Sequence, residues 1–245
     1  MNYRICAVIP CYRHVKTIEK IISGLKRHHL TLIIVDDGNS DHDKETLLAI
    51  ANRYQDIYLI HHRVNLGKGS AVISGMRKAL DLNFSHVLQI DADGQHDLND
   101  LKTILNLSRE NPEALVSGAP LYDINAPRSR IIGRQITNFF VHVECLSRTI
   151  ADAMIGYRVY PVQSALKAIA KMPKKPNMTF DIEIMVRMYW QRVKILFFKT
   201  KIAYPENGYS NFKAQDNLKI SLMHTKLCIT MLLSLPQILY RKFFS

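Results

Sequence analysis

The 245-residue sequence predicts an α/β fold with a mainly parallel sheet, on three observations. Short apolar runs alternate with longer segments of helical periodicity, the pattern of right-handed βαβ crossovers. The runs are short, and the first two are cut off by Pro10 and by Asp36-Asp37-Gly38. Polar clusters close one run after another, where the carboxyl ends of parallel strands collect a ligand site.

In chain order, residues 5–9 predict a first strand ended by Pro10, and residues 30–35 a second ended by Asp36-Asp37-Gly38. Residues 57–60, 87–90 and 114–116 predict the third, fourth and fifth strands. Residues 15–25, 43–53, 70–82 and 98–108 carry apolar side chains at helical spacing between them. The order changes after about residue 118. Residues 121–133 read as a basic loop, 135–146 and 180–190 as helices, and 193–198 and 201–204 as strands. A linker rich in Ser, Gly or Pro is missing at the junction, so the second part continues the first as one domain over residues 1–212.

Residues 213–245 read as a basic amphipathic helical tail, with Lys219 and Lys226 among apolar residues over 218–233. The uncharged stretch over 227–240 is too short, and too interrupted by Pro236, to span a bilayer. It suits a helix lying in a membrane interface, or equally one packed on the domain or in a dimer.

Lys and Arg number 33 against 21 Asp and Glu, a net charge of +12 that favours anionic partners such as nucleotides or phospholipid surfaces. Nucleic acid is set aside because no recognition module accompanies the charge. Cys6, Cys11, Cys145 and Cys228 are scattered without a Cys-x-x-Cys pair, which predicts reduced and mostly buried thiols. Met1-Asn2-Tyr3-Arg4 leads straight into a strand-like segment, without the pattern of a signal peptide. The expected location is cytoplasmic, peripheral on the inner face of the membrane, and the oligomeric state is left open.

The fourth run delivers two carboxylates, Asp91 and Asp93, at the end of a buried strand. Such a pair resists desolvation and repels itself unless a cation or a set of donors sits between. Oxygen ligands of this kind suit Mg²⁺ or Mn²⁺, commonly held by one or two carboxylates together with a substrate's phosphates. A plain turn remains open at this point, since Asp-Gly pairs favour turns by themselves.

Four segments in this order, Ala7-Val8-Ile9-Pro10-Cys11-Tyr12, Val35-Asp36-Asp37-Gly38, Asn65-Leu66-Gly67-Lys68-Gly69 and Asp91-Ala92-Asp93-Gly94-Gln95-His96, resemble family 2 glycosyltransferases with a GT-A fold. The last segment is similar to that of polyprenyl-phosphate sugar synthases. The region over 204–212 with Asp216, Ser221 and His224 resembles family 2 enzymes of bacterial aryl-polyene lipid pathways. On this resemblance residues 1–118 form a nucleotide-binding half and 119–212 an acceptor half.

The resemblance implies that Pro10, Tyr12 and Asp37 line the base and ribose pocket, while Asp36 serves the fold as well as the ligand. Lys68 meets a phosphate or stabilises its loop. Asp91 contacts ribose or metal, Asp93 binds the metal directly, and Gln95 supports metal or diphosphate. Asp152 lies near the donor sugar and Arg158 supports the structure. Asp181 is the candidate base, with Glu183 expected as a helix-surface charge. Arg128, Arg130 and Arg134 bind diphosphate and acceptor, for which the planar guanidinium fork is suited. Arg13 and Asn39 depart from the family pattern. The expected chemistry is inverting sugar transfer from a UDP- or GDP-type donor to a lipid or polyprenyl-phosphate acceptor with Mg²⁺ or Mn²⁺. A membrane-associated nucleotide-binding protein without turnover is the competing reading.

Overall fold

A computed structural model describes residues 2–122, 127–173, 176–203 and 214–235. The 204–212 motif, Tyr204 at the end of the expected last strand and the tail beyond residue 235 lie outside the described residues. Strands β1 (Ile5–Cys11), β2 (Thr31–Asp36), β3 (Ile57–His61) and β4 (His86–Gln89) alternate with helices α1 (Val15–Lys26), α2 (Asp41–Ala51) and α3 (Lys68–Asp81). After β4 come α4 (Leu101–Glu110), β5 (Leu115–Leu121), α5 (Arg128–Cys145), β6 (Arg158–Pro161), α6 (Val162–Ile169), α7 (Phe180–Trp190), β7 (Ile195–Lys201) and α8 (Ala214–Leu233).

One seven-stranded sheet runs β3-β2-β1-β4-β6-β5-β7. Every pairing is parallel except those of β6, which lies antiparallel between β4 and β5. Parallel strands β1, β2 and β4 are buried along nearly their whole length because both faces are covered, while the edge strands β3 and β7 are partly exposed. Ile18, Ile22 and Leu25 of α1, Leu47 and Ile50 of α2, and Ile104 of α4 pack on one face. Helices α3 and α5 to α8 cover the other, with Val72, Met76, Val141, Ala165, Met185 and Leu227 in its core.

Four expectations are corrected in the second half. Residues 128–133, expected as loop, open α5, an 18-residue helix. The expected break between 198 and 201 is absent, because β7 continues through Lys199 and Thr200 in register with Ala119 and Pro120. Strand β6 and helix α6 have no counterpart in the expectation. Arg158 begins β6 and Pro161 ends it, so four residues carry little apolar signal, yet all four are buried. Finally, Glu183 is 2% exposed and joined to Arg187 at 2.7 Å, so it is a buried ion pair rather than a surface charge. Helix α7 is buried from Phe180 to Met188, which leaves it no solvent face.

All four cysteines are free, and Cys6, Cys11 and Cys145 are buried. Among the described residues no helix is long and apolar enough to cross a membrane. Helix α8 lays Ile220, Met223 and Leu227 into the core beside α5.

Candidate active site

The loops after β1, β2, β3 and β4 meet at one sheet edge, and Asp36 and Asp37 organise that edge. Asp36, fully buried, accepts from Asn39 N–H at 2.9 Å and Asn39 Nδ2 at 2.7 Å through Oδ1. Its Oδ2 faces His61 Nδ1 at 2.8 Å. Asp37 Oδ1 accepts from Leu66 N–H at 2.9 Å and faces His62 Nδ1 at 2.7 Å, while Oδ2 accepts from Gly67 N–H at 2.8 Å. Asp37 therefore spends its carboxylate on the 65–67 loop, as Asp36 does on the β2 turn. Beside its expected place at the base pocket, Asp37 thus holds that loop.

The loop is fitted against the segment preceding α7. Gly67 has φ 93°, a conformation favoured for glycine, and a Cβ there would lie 2.6 Å from Asn177 Oδ1. Ser70 N–H donates to Pro176 O at 3.0 Å. This seating aims Lys68, the first residue of α3, at two carboxylates. Lys68 Nζ lies 2.7 Å from Asp91 Oδ2 and 2.7 Å from Asp181 Oδ2. Burial disfavours the ammonium, but Asp181 and Asp91 outweigh it and hold the Lys68 pKa above its ordinary value. Burial likewise disfavours the Asp91 carboxylate, yet Lys68 and His96 keep its pKa well below the carboxylate range.

Asp181 is 5% exposed, and its other oxygen accepts from Gln89 Nε2 at 2.9 Å. Arg158 Nη1 donates to the Asp181 backbone carbonyl at 2.6 Å. Arg158 is fully buried, as its supporting role requires. Gly156 closes the cluster, since a Cβ there would overlap Asp91 Oδ2 and stand 2.6 Å from Lys68 Nζ. Arg158 Nε and Nη2, Gln89 Oε1, Asp91 Oδ1, Tyr157 Oη and both ring nitrogens of His96 are buried without a hydrogen-bond partner. So many unsatisfied groups in one place mark a site for polar ligands rather than a finished core.

Asp93 is half-buried, and its Oδ1 accepts from Gln95 N–H at 3.0 Å across a turn in which Gly94 has φ 74°. Among the described residues no three His, Cys, Asp or Glu side chains converge on a metal position. The free Asp91 Oδ1, the Asp93 carboxylate and the Gln95 amide nevertheless form a hard-oxygen set of the kind that Mg²⁺ or Mn²⁺ completes with substrate phosphates. Pro10 is buried in β1, with half-buried Tyr12 following the strand under the Arg13 guanidinium, 5.0 Å from its ring centroid.

Asp152 is buried and held by donors of its own turn and of α5. It accepts from Met154 N–H at 3.0 Å and Ile155 N–H at 2.8 Å, and Arg134 Nη1 donates to its Oδ2 at 2.8 Å. Arg134 thus ties α5 to the 152–155 turn, whereas Arg128 and Arg130 are exposed on the first turn of α5. Sequence reasoning missed the His61 and His62 partners of the two aspartates. The pair stands directly after the β3 run, and that position was the available signal.

A protein-family model described as glycosyl transferase family 2 matches residues 6–167. A dolichyl-phosphate β-glucosyltransferase of Trichomonas vaginalis is 24% identical over 255 residues, covering 96% of this chain and 76% of that protein. An uncharacterised protein of Methanocaldococcus jannaschii is 30% identical over 139 residues, and the match spans 56% of this chain and 58% of that relative. The crystal structure of glucosyl-3-phosphoglycerate synthase from Mycobacterium tuberculosis with UDP superposes with a TM-score of 0.68 at 14% identity, over 93% of this chain and 80% of that one. The expected GT-A architecture is thereby the observed one.

Proposed function

The chain belongs to glycosyl transferase family 2, and from that premise we propose that it transfers a sugar, with inversion, from a nucleotide-diphosphate donor to a lipid phosphate of the polyprenyl type. The donor class rests on the oxygen-rich cluster at the sheet edge, together with the UDP complex of the similar fold. Mg²⁺ or Mn²⁺ held by Asp93, with Asp91 and Gln95 beside it, would supply Lewis-acid stabilisation of the diphosphate leaving group. Arg128 and Arg130, exposed on the first turn of α5, are the residues this reading assigns to phosphate groups.

The engagement of Asp181 carries the choice of acceptor. One of its oxygens is bound to Lys68 and the other to Gln89 in a nearly closed environment. A hydroxyl acceptor needs a base within hydrogen-bond reach of its proton, and a carboxylate so occupied serves that role poorly. A phosphate is already an anion and needs none. Asp181 is therefore read as the residue that positions Lys68 and Gln89, in place of the base expected from the sequence. The similarity to a dolichyl-phosphate glucosyltransferase supports the same acceptor class.

The test is turnover of nucleotide sugars onto polyprenyl phosphate with and without Mg²⁺ or Mn²⁺, first identifying the donor by thermal shift, because a ligand bound only to the native state raises its stability. Asp93→Ala is expected to lower metal-dependent transfer by about 100-fold or more, the scale of losing an electrostatic stabiliser. Unchanged metal-dependent turnover in that variant overturns the proposal. Binding of donor without transfer to any lipid phosphate would favour the competing reading of a nucleotide-binding protein.

A further inference from the structure

Helices α5 and α8 each carry two apolar faces, and among the described residues the fold covers only one of them. Helix α5 buries Thr137, Val141, Glu144 and Cys145, while Ile132, Ile136, Phe139, Phe140 and Val143 are exposed. Their spacing of four, three, one and three residues places them on a single stripe. Phe139 is 61% exposed, and Ile136 54%. Helix α8 repeats the pattern, with Ile220, Met223 and Leu227 inside and Leu218, Leu222, Ile229 and Leu232 outside. The two helices touch through Phe140, whose ring stacks on His224 at 5.2 Å. A helix apolar on both sides is suited to an apolar neighbour on each.

Charge selects that neighbour. Glu144 and Asp216 are the sole carboxylates in the sequence of these two helices, and both are buried at 0% and 4% exposure. Arg128, Arg130, Lys219 and Lys226 remain at the surface. A second copy of the same face would set cation against cation, which disfavours self-association. A bilayer with anionic headgroups satisfies both features, taking the aromatic and aliphatic stripe at the acyl boundary and the Arg and Lys side chains at the phosphates. A groove of about 630 Å³ flanks the stripe, lined by Phe139, His142, Val143, Leu146 and exposed Arg148 among others. It offers an apolar floor with a cation at its rim.

We propose that the outer stripe of α5, and not the C-terminal tail alone, docks this protein on an anionic phospholipid surface, with Arg148 beside its groove engaging a headgroup phosphate. The proposal rests on the lipid-acceptor reading only for its purpose. Binding is measured without donor or acceptor, so its failure leaves that reading to the transfer assay.

The experiment is co-sedimentation of the full chain with phosphatidylcholine vesicles and with the same vesicles containing phosphatidylglycerol. The wild-type chain should bind the anionic vesicles, more weakly at high salt. Ile136→Ser with Phe139→Ser should weaken binding by about tenfold or more, given the apolar area withdrawn from the membrane. Arg148→Glu should reduce the preference for anionic over neutral vesicles. All these positions are exposed, so melting temperatures should stay at the wild-type value and separate lost docking from lost folding. Leu222→Ser with Ile229→Ser in α8 is the comparison. Undiminished binding of the α5 variant overturns the proposal, even where the α8 variant is impaired and the tail reading survives. Absence of vesicle binding by the wild-type chain overturns it too, as does a lipid-free dimer dissociated by the α5 substitutions.

Discussion

Asn39 holds Arg13, and both count among the departures from the family pattern that the sequence resembles. The Arg13 N–H donates to Asn39 Oδ1 at 2.6 Å, while Asn39 Nδ2 donates to Cys11 O at 2.9 Å and to Asp36. Arg13 sits at φ 62°, a region costly for a residue with a Cβ. The amide thus fixes the backbone that carries Tyr12 and the Arg13 guanidinium above it. Asn39→Ala removes buried hydrogen bonds and should cost about 1–3 kcal/mol in chemical denaturation. Arg13→Gly relaxes the backbone at the same place and should recover stability, so the pair should be non-additive in a double-mutant cycle. Strict additivity would mean that the two departures are independent.

Gly156 is needed for space and not for backbone freedom, since its φ lies outside the left-handed region. A Cβ would meet Asp91 Oδ2 and Lys68 Nζ together, and neither can retreat without breaking their bond. Gly156→Ala is expected to preserve the far-ultraviolet circular dichroism while lowering kcat/KM for the donor by about tenfold, the scale of a small misplacement of binding groups. A variant with wild-type kinetics would show that the Asp91 cluster can shift without loss.

Removing Lys68 leaves two buried carboxylates facing each other. Lys68→Met should therefore destabilise the fold by about 3–5 kcal/mol, the usual cost of stranding buried charge. Asp181→Asn is gentler, because its amide oxygen can still accept from Gln89 and Asp91 still pairs with Lys68. With a lipid-phosphate acceptor, Asp181→Asn should lower kcat by less than about tenfold, whereas loss of a general base costs about 100- to 10,000-fold. A larger loss at unchanged stability would restore Asp181 as a base.

Strands β1, β2 and β4 are legible because each is a continuous apolar run ended by a polar cluster, as a covered parallel strand must be, and the edge strand β3 is legible by its short apolar run alone. Strand β6 is not, because an antiparallel insert of Arg158-Val159-Tyr160-Pro161 has a charged start and a proline end. Its buried Arg158 makes sense only beside Asp181 and Tyr160, the first of which comes from distant sequence. Lys68, Asp91 and Asp181 were each singled out by motif, but their meeting on one ammonium depends on how α3 and α7 pack. The loop contacts of Asp37 and Asp152 are hidden in the sequence for a related reason. Motif position shows that a carboxylate stands at the site edge, while its hydrogen-bond donors decide whether it faces a ligand or a loop. In α7, helical periodicity predicts Glu183 at the surface because it is silent about a helix enclosed on every side.

His86 gives the fold an acid-sensitive point away from the site. Its Nε2 faces Pro112 O at 2.7 Å and its Nδ1 faces Ser85 Oγ at 2.8 Å, with the Tyr3 ring 4.2 Å away. Burial is the largest influence and pushes the imidazole pKa below its ordinary 6.5, against the opposing effects of Pro112 O and Glu113. The unfolded chain therefore binds a proton at a higher pH than the folded one. Linkage makes the contribution fully present above 6.5 and progressively lost as pH falls below that value. His86→Gln loses hydrogen bonds and should be about 1–2 kcal/mol less stable at neutral pH. It should, however, lose less further stability than the wild-type chain between neutrality and about pH 5, the range over which an ordinary imidazole charges. Urea midpoints across that range check the slope, with the other histidines common to both proteins and cancelling in the difference. Parallel wild-type and variant curves would show that His86 charges as readily in the folded chain as in the unfolded one.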